Sequence, residues 1–357
     1  MQKVYTTQES KIWQKSKIHR REKNNRSRKI KKNNSRFKRP YTVPTVLKKK
    51  RKKTVLSPKT VYAPTDFRLI NNTEACLLFF RNIRSSEYIN FFGKRKFVVM
   101  SLVFVKEIDY AAISCLTAIS DDLKFNNIIL KGDFPDDPNC KKFIVDSGFL
   151  NHMVDEKNQR FPKAIASELI FFEKGCGKLS DNEIRKITEL VKKVVNHLTG
   201  TPTNCLPIKT IILEICGNSI EWAKTENRQW LLGVQYSNQK VIFTVTDVGE
   251  GILKTLHKKF GLMLSDIFRT ELAILKGVFV QKYGSSTQEA NRNKGLPSVR
   301  ANFQRGTILN LKVLTNNVIL HFENEDASKT FSKGSPRFKG TLYQWEMNKM
   351  CIEKAIN

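Results

Sequence analysis

Residues 210–252 read TIILEICGNSIEWAKTENRQWLLGVQYSNQKVIFTVTDVGEGI, and the way this run divides decides the fold. Its first part, from Ile211 to Ala223, has a helical pattern. Two strand-like runs follow, Trp230 to Tyr236 and Val241 to Val245, and the stretch closes on Asp247-Val248-Gly249-Glu250-Gly251-Ile252. On a helix Glu214 and Asn218 are i and i+4, so a carboxylate and a carboxamide share one face. That pair suits a metal–nucleotide site, with the amide oxygen on Mg²⁺ and the carboxylate orienting an attacking water. Asp247 follows a β-rich run and is trailed by two glycines. Gly249 and Gly251 let the backbone turn sharply against a planar ligand, while Asp247 accepts from an exocyclic amine. Taken singly, the two halves have plainer readings, a solvated helix face and ordinary turn chemistry.

In this order, with two strands between them, the halves resemble the N box and G1 box of the GHKL ATPase superfamily, which includes gyrase B, sensor histidine kinases and MutL. The resemblance implies a GHKL (Bergerat) α/β sandwich over residues 179–322, with helices on one face of a mixed sheet and ATP and Mg²⁺ as cofactors. Under it, Asn218 ligates Mg²⁺, Glu214 activates water and Asp247 holds adenine. Asn291-Arg292-Asn293-Lys294-Gly295-Leu296-Pro297 looks like the G2 box, where glycines and a helix N-terminus hold the triphosphate. Asn291 and Asn293 stand where glycines are usual, leaving Gly249, Gly251 and Gly295 to allow close approach beside Leu296. Lys294 and Arg292 compensate by meeting phosphate oxygens. Gly306-Thr307 resembles the G3 box, with Gly340-Thr341 a lower-ranked second candidate. Between G1 and G2, Leu253 to Asn293 corresponds to an ATP lid, with one apolar helical pattern from Ile267 to Val280.

Ahead of this region the composition changes twice. Residues 1–62 form a basic tail whose first 60 positions hold 22 Lys and Arg against Glu9 and Glu22, a net +20 of the chain's +30. Few large apolar residues interrupt it, so the tail is expected to be disordered and to neutralise phosphates of nucleic acid. From about Asp66 the chain turns globular. Lys96 to Val105 reads as a buried strand, Tyr110 to about Lys124 as an amphipathic helix, Asn127 to Lys131 as a strand and Asn139 to Ser147 as a helix. Strand, helix, strand, helix with short connections implies a small parallel α/β sheet. Residues 66–155 resemble a STAS-like domain, the fold of anti-sigma-factor antagonists. The family's phosphoserine is missing, since Asp109 is followed by Tyr110, Ala111 and Ala112, and Ser114 reads as a helix residue.

Residues 156–178 read as a connector and Ser180 to Leu198 as a helix opened by a capping box with Glu183. His197 is read as a structural histidine. Thr307 to Leu314 and Val318 to Phe322 are strands joined across Asn316-Asn317, and residues 323–357 are left as a polar extension. Seven dispersed cysteines, without C-x-x-C spacing, imply a reducing, cytoplasmic setting and no zinc site. No apolar run approaches the roughly 18 to 20 residues of a membrane span.

The fold class expected is thus α/β plus α+β: a disordered basic tail, a small STAS-like domain and a GHKL sandwich. The leading functional expectation is a Mg²⁺-dependent ATP-binding protein, a slow ATPase or nucleotide-driven switch, with a kinase-like activity of the same superfamily left open. Two others compete: a non-enzymatic scaffold of anti-sigma type, and a nucleic-acid-binding protein modulated by ATP. Partners expected are a protein through the STAS-like domain, nucleic acid through the tail and a second copy of the chain, with no membrane.

Overall fold

The computed structural model describes residues 57–155, 159–161, 167–172, 179–222, 230–260, 270–280 and 295–356, with Glu22, Asn24 and Asn25 ahead of them. By contact the chain divides into two units, residues 1–56 and 57–357. In the first, Glu22, Asn24 and Asn25 are helical and exposed, and the rest of the expected disordered tail lies outside the described residues.

The second unit begins with a small sheet and its helices. In chain order come β1 (Thr60–Tyr62), β2 (Asp66–Phe67), α1 (Thr73–Ile83), β3 (Asn90–Phe92), β4 (Arg95–Ser101), β5 (Glu107–Ile108), α2 (Tyr110–Phe125), β6 (Ile128–Lys131) and α3 (Pro138–Asp146). β4 is the hub, parallel to β1 and β6 and antiparallel to β3; β2 and β5 form a short parallel pair. β4 stops earlier than its apolar run suggests because Asp133 draws the chain away. Its carboxylate accepts from Ser101 Oγ at 2.7 Å and from the Leu102 N–H at 2.6 Å.

The large sheet has seven described strands, antiparallel throughout. They and their helices are β7 (Ser167–Phe172), α4 (Asp181–Thr199), α5 (Leu206–Trp222), β8 (Trp230–Tyr236), β9 (Lys240–Asp247), α6 (Ile252–Phe260), α7 (Glu271–Val278), α8 (Gly295–Arg305), β10 (Leu309–Asn316), β11 (Val318–His321), β12 (Lys329–Thr330), β13 (Phe338–Asn348) and α9 (Lys349–Ile356). The strand order is β12-β11-β10-β13-β9-β8-β7. Helix α4 starts on the Ser180–Glu183 capping box and ends at Gly200, whose φ of 82° is the left-handed conformation a side chain disfavours.

Alternation along the strands gives the sheet two buried faces. Val241, Phe243 and Val245 join Tyr343, Trp345 and Met347 under the helices, in one core with Ile212 and Ile215 of α5. There Phe243 and Trp345 lie opposite in register and stack with ring centroids 5.0 Å apart. The reverse face carries Leu231, Leu314, Ile319, Phe338 and Leu342, which share a second core with Phe67, Leu116 and Ile119. Burying these five side chains contributes on the order of 10 kcal/mol, comparable with the net stability of a whole domain.

Four expectations are corrected by this arrangement. Helix α2 is not amphipathic in its setting: it is apolar almost all round because one side meets the small sheet and the other packs on β8, β9 and β13. Residues 66–155 and 179–322 therefore share a core within one unit, although sequence alone separates them. Residues 323–357 are no extension, since β13 lies between β9 and β10 in the middle of the sheet. The stretch 156–178 likewise contains β7, paired with β8 at the sheet's edge.

Candidate functional site

Asp247 is the last residue of β9 and shares the parity of Val245 and Phe243, so it faces the side covered by α5. It is 4% exposed, and its Oδ1 accepts from the Gly249 N–H at 2.9 Å, closing the turn. The loop that follows is pinned by the end of β10. Thr315 Oγ1 accepts from the Ile252 N–H at 2.9 Å, and Asn316 Oδ1 accepts from the Lys254 N–H at 3.2 Å. Both donors lie in the first turn of α6, so two side chains of β10 satisfy backbone groups that the helix itself leaves open. Asn316 Nδ2 also donates to the Glu250 carbonyl at 2.8 Å. Gly251 has φ +84°, and a Cβ there would stand 2.6 Å from Asn316 Oδ1. Glu250 is turned to solvent, and its carboxylate accepts from Lys258 Nζ at 2.5 and 2.6 Å. That hydrogen bond and the charges of Lys254 and Lys258 hold the Glu250 carboxyl below its ordinary range.

The partner strands complete the surroundings. Asp247 is in register with Trp230 of β8 on one side and Thr341 of β13 on the other. Gly340 has φ +140°, and a Cβ on it would lie 1.9 Å from the Asp247 carbonyl oxygen. The two backbones can approach this closely only because residue 340 is glycine. Thr315 Oγ1 donates to the Gly340 carbonyl at 3.1 Å, tying β10, β13 and the loop together.

The glycine–threonine pair beside Asp247 is thus Gly340-Thr341, the one ranked lower from sequence. Thr307 has another task. Its Oγ1 is buried and donates to the Asn302 carbonyl at 2.8 Å and to Asn302 Oδ1 at 3.0 Å, locking the exit from α8. Both pairs open toward strands, and their separation depends on long-range pairing that local spacing does not reveal.

Glu214 lies on α5 and is half-buried; burial pushes its carboxyl above the ordinary range. Its neighbours Ile212, Ile215 and Cys216 face the sheet. Asn218 is in α5 by its backbone, but its side chain lies outside the described residues. Gly295 and Leu296 open α8, both buried, and α8 packs along α5. Lys294, Asn291, Arg292 and Asn293 lie outside the described residues, as does most of the expected lid apart from α6 and α7. The structure thus brings Asp247, Gly249, Gly251 and Thr341 together at one sheet end, and sets α5 with Glu214 against α8 with Gly295. Among the described residues, no group of three or more His, Cys, Asp and Glu is placed to hold a metal ion.

The reverse face is polar at one point behind the site. Ser114 of α2 is fully buried, with its Oγ 3.0 Å from Thr246 Oγ1 and accepting from Thr244 Oγ1 at 2.9 Å. Tyr110 Oη donates to the Val234 carbonyl at 3.3 Å. Asp109 caps α2 by accepting from the Ala112 N–H at 2.7 Å; burial pushes its carboxyl up despite that bond. His197 Nε2 lies 2.6 Å from the Ser237 carbonyl and the ring meets Tyr236 edge-on, a structural placement.

What the arrangement offers chemically is a buried carboxylate at the end of a strand, a pinned glycine loop and a half-buried Glu on the adjoining helix. A scan against protein-family models matches none, and a search of curated proteins likewise matches none. No described helix is long and apolar enough to cross a membrane.

Proposed function

We propose that the protein binds ATP with Mg²⁺ on the helix-covered face of its large sheet, as a GHKL-type nucleotide domain, and acts as a slow ATPase or nucleotide-driven switch. The observation that carries this reading is Asp247, a carboxylate held almost out of solvent on a strand position in register with Trp230 and Thr341, at the start of a loop fixed by three hydrogen bonds with Thr315 and Asn316. A buried acceptor with fixed geometry selects a ligand carrying an N–H donor, which an adenine amine supplies. Glu214 suits the base: it is a half-buried carboxylate on α5, and burial raises its basicity. Asn218 would contribute one amide oxygen to Mg²⁺, which keeps several waters and takes its remaining ligands from phosphates. Gly295 and Leu296 at the start of α8 would meet the triphosphate.

The deciding experiment is ATP titration of the full chain with and without Mg²⁺, for wild type and Asp247→Asn. Binding by wild type, strengthened by Mg²⁺ and weakened by the substitution, supports the proposal. No binding at millimolar ATP removes it.

A second reading is a partner-binding regulator in which a STAS-like part modulates the nucleotide part. It is favoured by the Ser114–Thr244–Thr246 hydroxyl cluster, which ties α2 to the strand that ends at Asp247. Retained nucleotide without turnover would select it over the ATPase.

A further inference from the structure

The small sheet has one face in the core and one in solvent, and the solvent face is the unusual one. Val61, Val98 and Met100 point inward and are buried. By register, the opposite face runs through Phe92 and Arg95, then Phe97 and Ile129, then Lys131, and ends at Tyr62. Phe92 is 76% exposed, Tyr62 58% and Ile129 49%. Exposed apolar side chains on a folded surface are ordinarily scattered; here they form a row across adjacent strands. The row is continued by Phe104, 58% exposed, whose ring lies 5.8 Å from that of Tyr62.

Cations are built into the same row. Arg95 is directly opposite Phe92 in the β3–β4 ladder. Lys131 places its Nζ 4.8 Å from the centre of the Phe97 ring. None of the outward positions on the four strands is acidic. The β3–β4 turn adds Lys94, which is exposed.

We propose that this face is a platform for single-stranded nucleic acid, with bases stacking on Phe92, Phe97 and Tyr62 and the backbone phosphates meeting Arg95 and Lys131. Flat rings on a pleated surface, with Lys131 over Phe97 and Arg95 opposite Phe92, match the alternation of base and phosphate in an unpaired strand. A duplex hides its base faces and gains nothing from the rings. A bilayer fits less well, because burying Phe92 in hydrocarbon would draw Arg95 in with it. The surface is distinct from the basic tail, which offers charge without rings, and from the large sheet's helix-covered face.

The test uses the full chain at about 200 mM salt, where purely electrostatic binding is weak. Labelled oligo-dT, an abasic strand of equal length, a duplex and anionic phosphatidylserine vesicles are titrated in parallel. Oligo-dT should bind more tightly than the abasic strand or the duplex. The double variant Tyr62→Ala/Phe92→Ala removes two exposed rings, and should weaken oligo-dT binding about 10-fold or more with an unchanged salt slope. Arg95→Gln/Lys131→Gln should instead lower the slope of log affinity against log salt by about 1.4. Equal binding of dT and abasic strand, or dT affinity unchanged in both variants, overturns the proposal. So does loss of vesicle binding, or of self-association, with dT affinity intact, since the face would then serve a membrane or a second copy.

Discussion

The hydroxyl of Ser114 lies 3.0 Å from that of Thr246, the residue immediately before Asp247. One belongs to α2 and the other to the middle of the large sheet, yet both are fully buried. With Thr244 they form a set of three hydroxyls between two apolar layers, where a missing partner leaves a desolvated polar group behind. The polar cluster fixes the register of α2 on β9, which apolar contacts alone would leave free to slide.

Ser114→Ala should therefore destabilise the fold by about 1–3 kcal/mol, since two threonine hydroxyls lose a partner. Ser114→Asp should cost considerably more, because it buries a charge in the core. Urea unfolding of both variants measures the difference. Phosphate on Ser114 after incubation with ATP, read by mass spectrometry, would contradict this packing.

Asp247→Asn keeps an acceptor for the Gly249 N–H and should fold as wild type does. Its ATP affinity should fall by about 10-fold to 100-fold, the worth of a hydrogen bond to a charged acceptor. Calorimetric titration gives the number. Wild-type affinity in the variant would remove Asp247 from adenine recognition.

Glu214→Ala should leave ATP affinity within a few-fold while lowering turnover by roughly 10² to 10⁴. Because burial raises the Glu214 carboxyl, the acid limb of wild-type turnover should lie above the ordinary glutamate value. The same shift acts on stability with a definite sign. The folded protein holds this proton more tightly, so the contribution is fully present below the unfolded value and is lost as pH rises through the folded one. Glu214→Gln should thus gain stability relative to wild type on going from about pH 4 to about pH 7. A pH-independent difference would show that the side chain is solvated like a free carboxylate.

Gly340→Ala should destabilise strongly, by about 3 kcal/mol or more, because its Cβ would lie 1.9 Å from the Asp247 carbonyl and φ is +140°. Gly93→Ala is the control: its φ is +62° but nothing lies within 4 Å, so only about 1 kcal/mol of backbone strain is expected. Thermal melts of the pair separate steric conflict from conformational strain. Equal losses would mean that β13 and β9 can part without cost.

Much of the large sheet was legible because its elements carry their period locally. Trp230 to Tyr236 and the β-branched run ending at Asp247 are strands as read, and Asn316-Asn317 does turn β10 into β11. Ser180 with Glu183 marked the start of α4. Strand β13 carried the same kind of signal, since Tyr343, Trp345 and Met347 alternate with Gln344, Glu346 and Asn348. Its preceding polar loop and its distance from β9 hid its place in the sheet. That one omission also decided between the two glycine–threonine pairs, because Thr341 reaches Asp247 only through the β9–β13 ladder. Helix α2 shows the complementary limit. An apolar surface all round says that a helix is buried, but not what covers each side.

The place of β13 in the chain sets a timing. It is the seam between β9 and β10, yet 90 residues separate Asp247 from the strand's first residue, Phe338. During synthesis the earlier strands leave the ribosome with two edges facing an empty slot, and such edges recruit other strands. The seam closes only by non-local pairing, the slow kind. Assembly around Asp247 is therefore among the last events on the folding path, and a chain arrested before Phe338 carries most of the motifs without a sheet to hold them.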